Sequence, residues 1–411
     1  MTLSDKRNNY FELFGIITLA AIVRLMAMFI ATKNSMHDVF HFILPWMQNM
    51  ADNGFWAMYG PVPAAEYGVD YPPLYYSLMY LFVGRFLPSV ETARSFTAAN
   101  LMKVFPITIE LIGLVSIYKW KGAKWAKFFA LCLPFIIDGA IMGQSDVAYC
   151  LLIVLFFYFY IEKNNIYWTS IIYAVMACTK LQAIFFFPIY MLALFAHNSD
   201  SKEKIKSFLL AVLTGMTIWL PWLIVNGPMQ IFKIYLGSPT RKLLIAQNTG
   251  NLHFIPGISF STMMAENEIL YTAARILLHL LTILILCYVY KKTKDVLWTS
   301  FCYLFFVFFI CLHQYSRYEI YSFVVLILLY LFEYDKKVDM KNLLKYGVLA
   351  NTLQISIDFF KSIDFIPLYS RYNGIVLIIL TTFVLNLIII KRMVSTTKQL
   401  HGNIIDNINS L

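Results

Sequence analysis

Apolar runs about as long as a bilayer is thick alternate along this chain with short polar stretches, a pattern that reads as a series of membrane-spanning helices. Such runs fall near 10–31, 96–118, 125–137, 147–161, 166–179, 183–196, 207–225, 269–290, 296–312, 319–333, 346–360 and 373–390, which predicts about twelve crossings. Several between 125 and 196 are too short for a straight crossing, so tilted, broken or half-inserted helices are expected there. The expected fold is all-α, a single polytopic membrane domain over residues 1–411. Two long connections interrupt the alternation: a first loop over 32–95 and a second over 226–268.

The positive charges test this layout, because Lys and Arg collect on the cytoplasmic side. Lys6 and Arg7, Lys119 to Lys127, Lys202 to Lys206, Lys291 to Lys294, Lys336 to Lys345, and Lys391 to Lys398 then all fall on one side, with both termini cytoplasmic. Counting Leu74–Leu87 as a crossing would reverse Lys119 to Lys127. That run is therefore expected to be a juxtamembrane helix, started by Pro72-Pro73 and ended before Pro88. The same parity gathers the unusual polar segments on the opposite, extracytoplasmic face: the first loop with Asp38 and Asp70, the GQSD of Gly143 to Asp146, the KLQ of Lys180 to Gln182, the second loop, and HQYSR from His313 to Arg317. One site built from five segments is the expectation.

Composition agrees with the pattern. The chain is 60% hydrophobic and only 14% charged, with a mean hydropathy of +0.66, far too apolar for a soluble surface. The net charge of +10 resides in short loops, where it orients the chain rather than attracting nucleic acid. The six cysteines lie within apolar stretches without a CxxC pair, so neither a disulfide framework nor a zinc site is indicated. The first apolar run is too long for a signal-peptide core and reads as a retained anchor.

The candidate chemistry lies in the polar segments. Asp38, at the mouth of the first span, can take a proton from an attacking hydroxyl or cap a helix. His37 and His41 flank it, but no third ligand is evident, so no metal is assigned. In Asp70-Tyr71-Pro72-Pro73 the prolines stiffen the turn that aims Asp70 and Tyr71, or simply start a helix. Asp138, Asp146, Lys180 and Gln182 lie in or beside apolar spans, where charge is costly and marks a site or an internal pair. Lys180 paired with an Asp inside the bundle is compatible with both. Arg317, with His313 and Tyr318, suits phosphate oxygens, although an arginine can also snorkel to the interface. Arg24, inside the first span, requires a buried partner. Trp46, Trp56 and Trp222 fit either sugar stacking or an aromatic belt.

In order, the post-helix Asp38, then DYPPL, IIDGAIMGQSD, KLQAIFFFP, NLHF and LHQYSRY resemble the GT-C superfamily of integral-membrane glycosyltransferases. The likeness is greatest to dolichyl-phosphate-glucose-dependent glucosyltransferases and to bacterial mannosyltransferases related to those of glycosylphosphatidylinositol assembly, and it runs from Arg24 to about Tyr321. The resemblance implies metal-independent, inverting transfer of a hexose, with no cofactor, from a polyprenyl-phosphate donor to a lipid-linked or surface-glycan acceptor. It implies Asp38 as the base, Arg317, His313 and Lys180 at the donor phosphate, and Asp70, Tyr71, Pro72, Pro73, Gln144, Asp146, Gln182, Asn251 and His253 as substrate-binding or loop-shaping residues. His313 stands where the family has the His of an HE(K/R) motif, but Gln314 replaces the Glu and the basic residue is delayed to Arg317. The GQSD form resembles the bacterial version, which implies a bacterial plasma membrane. An envelope polysaccharide polymerase or ligase is an alternative. So is a secondary transporter, although the internal repeat a transporter would show is not seen.

Overall fold

The computed structural model describes residues 3–31, 36–60, 69–87, 95–237, 244–247, 249, 251–253, 263–264, 267–312, 314–336, 338, 340, 342–361 and 368–409. Five of the described helices are long and apolar enough to cross a membrane: α1 (Leu3–Ile30), α4 (Phe96–Lys121), α9 (Ser201–Asn226), α10 (Glu268–Thr293) and α14 (Leu368–Asn409). Three more are apolar but short: α7 (Ile166–Thr179), α8 (Ala183–Ala196) and α11 (Val296–Ile310). The other four segments of the expected twelve correspond to α5 (Ala123–Ala130), α6 (Asp146–Phe157), α12 (Ile320–Leu331) and α13 (Leu343–Lys361). The helices are those of a membrane protein, with five of spanning length and apolarity among the described residues.

Breaks fall where polar segments were expected. Gly122, at φ +83°, ends α4 and lets α5 start at once. A single turn at Leu133–Phe135 then leads into a π-helical stretch at Ile136–Ile141, just before GQSD. Three of the longer helices are capped at their N-termini as their sequences dictate. Ser95, Asp200 and Asn267 each accept a backbone N–H three residues on, and Asp295 does the same for the short α11.

In the first loop, a π-helical stretch at Val39–Ile43 runs into α2 (Leu44–Asn53), followed by a 3-10 turn at Phe55–Tyr59. Leu74–Leu87 is a helix over its first part, α3 (Pro73–Phe82), begun by the proline pair as expected, then a 3-10 turn at Gly84–Phe86.

Helices α11 and α12 form the centre and bury nearly every side chain, which is why they are hydrophobic all round. By contrast α9 and α10 expose Leu209, Leu213, Leu220, Leu277, Leu280 and Leu284, the surface of helices that meet lipid. At one end of the bundle Lys127 pairs with Glu12 at 2.8 Å and Lys121 with Glu162 at 3.9 Å, while the Tyr118 hydroxyl donates to the Asn9 carbonyl at 3.0 Å. The helix ends next to Asp38, GQSD, KLQ and Arg317 lie at the other.

The fold is all-α as expected, with one small addition in its loops. Three short strands, β1 (Leu244–Gln247), β2 (Met263–Met264) and β3 (Gln314–Tyr315), form a sheet of order β2-β1-β3. The β1–β2 pair is antiparallel and β1–β3 parallel, with Ala246 opposite Gln314. Extended loop backbone must satisfy its N–H and C=O groups somewhere, and these segments do so on one another. The sheet thereby ties the second loop to the segment that carries Arg317.

Candidate active site

Four charged side chains from four chain segments converge. Asp146 opens α6 and is fully buried; Lys180 reaches it with its Nζ 2.5 Å from Oδ1, and the Arg317 Nε lies 3.6 Å from Oδ2. Arg317 also donates from Nη2 to the Asp38 Oδ2 at 3.1 Å. That same oxygen accepts from the Gln144 Nε2 at 3.0 Å. Oδ1 of Asp38 has no hydrogen bond among the described residues, and the side chain keeps 30% of its exposure, so one oxygen is anchored and the other is open.

Local backbone explains how these groups arrive. Lys180 interrupts the path from α7 to α8 in an extended conformation (φ −151°, ψ 143°), which throws its side chain sideways into the bundle. Gly143, at φ +70°, turns the chain so that Gln144 and Asp146 face the same place. A Cβ on Gly143 would lie 2.9 Å from the Val39 Cγ2 and 3.2 Å from the Lys103 Cγ, so the close approach as well as the dihedral requires glycine. Arg317 stands in a 3-10 turn before α12, its guanidinium 5.0 Å from the centre of the Tyr315 ring and 5.7 Å from that of Tyr318. Burial works against its charge, but Asp38, followed by Tyr318 and Asp146, outweighs burial and holds its pKa well above the ordinary value. As N-cap of Val39–Ile43, Asp38 makes no side-chain capping bond, so the capping reading does not describe what its side chain does.

The other expected residues divide. Gln182 joins the cluster through its Nε2, which donates to the Tyr318 hydroxyl at 2.8 Å. The DYPP turn is adjacent: the Tyr71 carbonyl accepts from the Tyr59 hydroxyl at 2.9 Å, and Tyr71 packs on Tyr76, which lies within electrostatic reach of Asp70, Asp38 and Asp146. Asp70 is half-buried, within electrostatic reach of Tyr59, Tyr71, Tyr76 and Tyr315. Pro72 and Pro73 start α3, which carries Tyr76. Asn251 and His253 lie elsewhere. The Asn251 Oδ1 accepts from the His253 N–H at 3.1 Å, and the His253 Nε2 donates to the Ile310 carbonyl at 2.6 Å, at the end of α11. Their described hydrogen bonds serve to dock the second loop rather than to touch the four charges. His313 lies outside the described residues. The His37 and His41 rings pack together at a tilt of 34° with centroids 4.2 Å apart.

Several contributors were not anticipated. The Tyr321 hydroxyl donates to the Asp146 Oδ1. Its spacing from Arg317, four residues along a helix start, was the available signal. The partner that Arg24 required is Glu110 of α4, and Arg24 also donates to the Ala130 carbonyl at 2.9 Å. Ser145 and Tyr76 gave no comparable signal.

The family model for glycosyltransferase family 87 matches residues 70–313, more than half of the chain. The chain belongs to glycosyltransferase family 87. It is a membrane glycosyltransferase of the GT-C type. The region matched to family 87 contains the DYPP turn, GQSD and the Asp146–Lys180 pair; Asp38 precedes it and Arg317 follows it. No curated protein matches the chain.

Proposed function

We propose that this family 87 enzyme transfers a hexose, with inversion, from a polyprenyl-phosphate-linked donor to a hydroxyl of a lipid-linked or cell-surface glycan, at the extracytoplasmic face of a bacterial plasma membrane. In this reading the chain crosses about twelve times, with both termini cytoplasmic. The observation that carries it is the pairing of Asp38 with Arg317, beside the buried pair Asp146–Lys180. It sets an accessible carboxylate next to fixed cations at one end of a membrane bundle.

Each group then has a task. The open oxygen of Asp38 draws the proton from the acceptor hydroxyl as that oxygen attacks the anomeric carbon. Arg317, with Lys180 behind it and His313 close in the chain, stabilises the charge that collects on the departing phosphate. A phosphate leaves without needing a proton, so a single essential carboxylate suffices, unlike glycoside hydrolysis with its pair. The tail of the donor remains among the lipid-facing helices. Asp70 and Tyr71, held by the DYPP turn, together with Gln144, Asp146 and Gln182, shape the space for the sugar, and Asn251 and His253 fix the second loop over it.

The test is transfer of radiolabelled hexose from a synthetic polyprenyl-phosphate donor by purified protein. Asp38→Asn is expected to lower the rate by about 10²–10⁴, the usual contribution of a general base, with donor binding retained. Full activity in that variant removes the base assignment, and sugar flux into liposomes without transfer would instead mean transport.

A further inference from the structure

Asp38 and Arg317 are 279 residues apart in sequence, yet a hydrogen bond joins them. Both cations near the proposed phosphate position are already matched by carboxylates. Lys180 is committed to Asp146, with both side chains at 2% exposure or less. Arg317 is less committed: its Nε makes no hydrogen bond among the described residues and only a long, 3.6 Å ion pair to Oδ2 of Asp146, which Lys180 already neutralises, and its side chain retains 11% exposure. Its contact to Asp38 is to the partly exposed member of the two acids. Any phosphate that enters therefore meets an arginine that a carboxylate already holds.

We infer that Asp38 and the donor phosphate compete for Arg317, so that the guanidinium passes from the base to the leaving group as the reaction proceeds. This rests on the transferase reading given above. The accounting of charge supports it. The acceptor oxygen forms a bond to the anomeric carbon and gives its proton to Asp38, while the bond from that carbon to the phosphate oxygen breaks and its electron pair stays on the phosphate. The donor, a phosphodiester with one negative charge, leaves as a phosphomonoester with two. One unit of negative charge disappears from Asp38 and one appears on the phosphate. A cation in reach of both keeps a counter-charge throughout and reorganises little, which is the arrangement that favours electrostatic catalysis in a shielded site. Gln144 holds the same oxygen of Asp38 as Arg317 does. It keeps the carboxylate in place when the arginine moves, and so acts as a positioning residue.

Competition is read from affinity rather than rate. Binding of a synthetic polyprenyl-phosphate hexose is measured for the unaltered protein, Asp38→Asn, Arg317→Gln and the double variant, each first checked for an unchanged unfolding temperature. Removing the competing carboxylate in Asp38→Asn is expected to tighten donor binding about tenfold, within the range of such couplings. Arg317→Gln is expected to weaken binding, and in that background Asp38→Asn should change nothing. Should Arg317→Gln not fold, Arg317→Lys serves, and the gain from Asp38→Asn should shrink there. Unchanged affinity in Asp38→Asn overturns the competition and leaves the transferase reading standing, as does an equal gain with and without Arg317. Failure of the unaltered protein to bind the donor overturns both.

Discussion

At the residue scale, the most demanding side chain lies away from the charged cluster. Arg24 and Glu110 form an ion pair between α1 and α4 with 2% and 3% of their side chains exposed, in an environment that solvates neither. Breaking such a pair leaves an uncompensated buried charge at a cost of about 3–5 kcal/mol, whereas replacing both partners with apolar groups is often neutral. Arg24→Met should therefore lower the unfolding temperature in detergent markedly, and Arg24→Met combined with Glu110→Leu should restore most of it; equal losses in the single and double variants would contradict this account. The sequence showed that Arg24 needed a partner but not which one, because 86 residues separate the two. Lys180 and Asp146 stood out for the complementary reason, as charges where the apolar pattern leads one to expect none, whereas Asp38 and Arg317, in polar segments at span ends, were singled out by the family resemblance. Tyr76 and Ser145 were not legible, since tyrosines and serines are ordinary at membrane boundaries and only the fold places them beside the charges.

At the scale of elements, interruption positions the chemistry. Lys180 ends α7, Asp146 begins α6 after a π-helical stretch, and Arg317 occupies a single 3-10 turn between α11 and α12. Such irregular backbone at membrane depth is tolerated where it lines a polar interior. The short apolar runs between 125 and 196 signalled the first two of these interruptions; the sheet β2-β1-β3 carried no such signal, because four- and two-residue strands are too brief for alternation to show. Gly143 provides the test. Gly143→Ala forces both a positive φ and a collision with Val39 and Lys103, so it should cost roughly 1–2 kcal/mol or more and depress transfer by displacing Gln144. Gly227→Ala, also at positive φ (+78°) but with nothing within 4 Å, should lose about as much from the backbone alone while leaving the kcat of the folded fraction unchanged. Equal kcat losses in both would separate the GQSD turn from catalysis.

At the scale of the whole molecule, one end of the bundle holds the lysine-bearing helix ends and the other the converging acids and cations. The proposed orientation follows from the positive charges alone, and labelling can test it. Asp52 in the first loop and Lys163 between α6 and α7 are both exposed. With the exposed Cys287 replaced, Asp52→Cys should react with a membrane-impermeant maleimide in intact cells and Lys163→Cys only after lysis; the reverse pattern inverts the topology. The short helices carry a further consequence for the surrounding lipid. At 14 residues each, α7 and α8, which unlike the central α11 keep exposed apolar side chains such as Trp168, Ile184 and Phe187, reach only about 21 Å, less than the roughly 30 Å of a hydrocarbon core, and both have one end beside the reactive groups. Around them the leaflet has to dip or admit water. A headgroup drifting into that depression descends toward the enzyme without being lifted out of its leaflet, and a thicker bilayer makes the dip costlier to form, so that membrane thickness itself becomes a determinant of turnover.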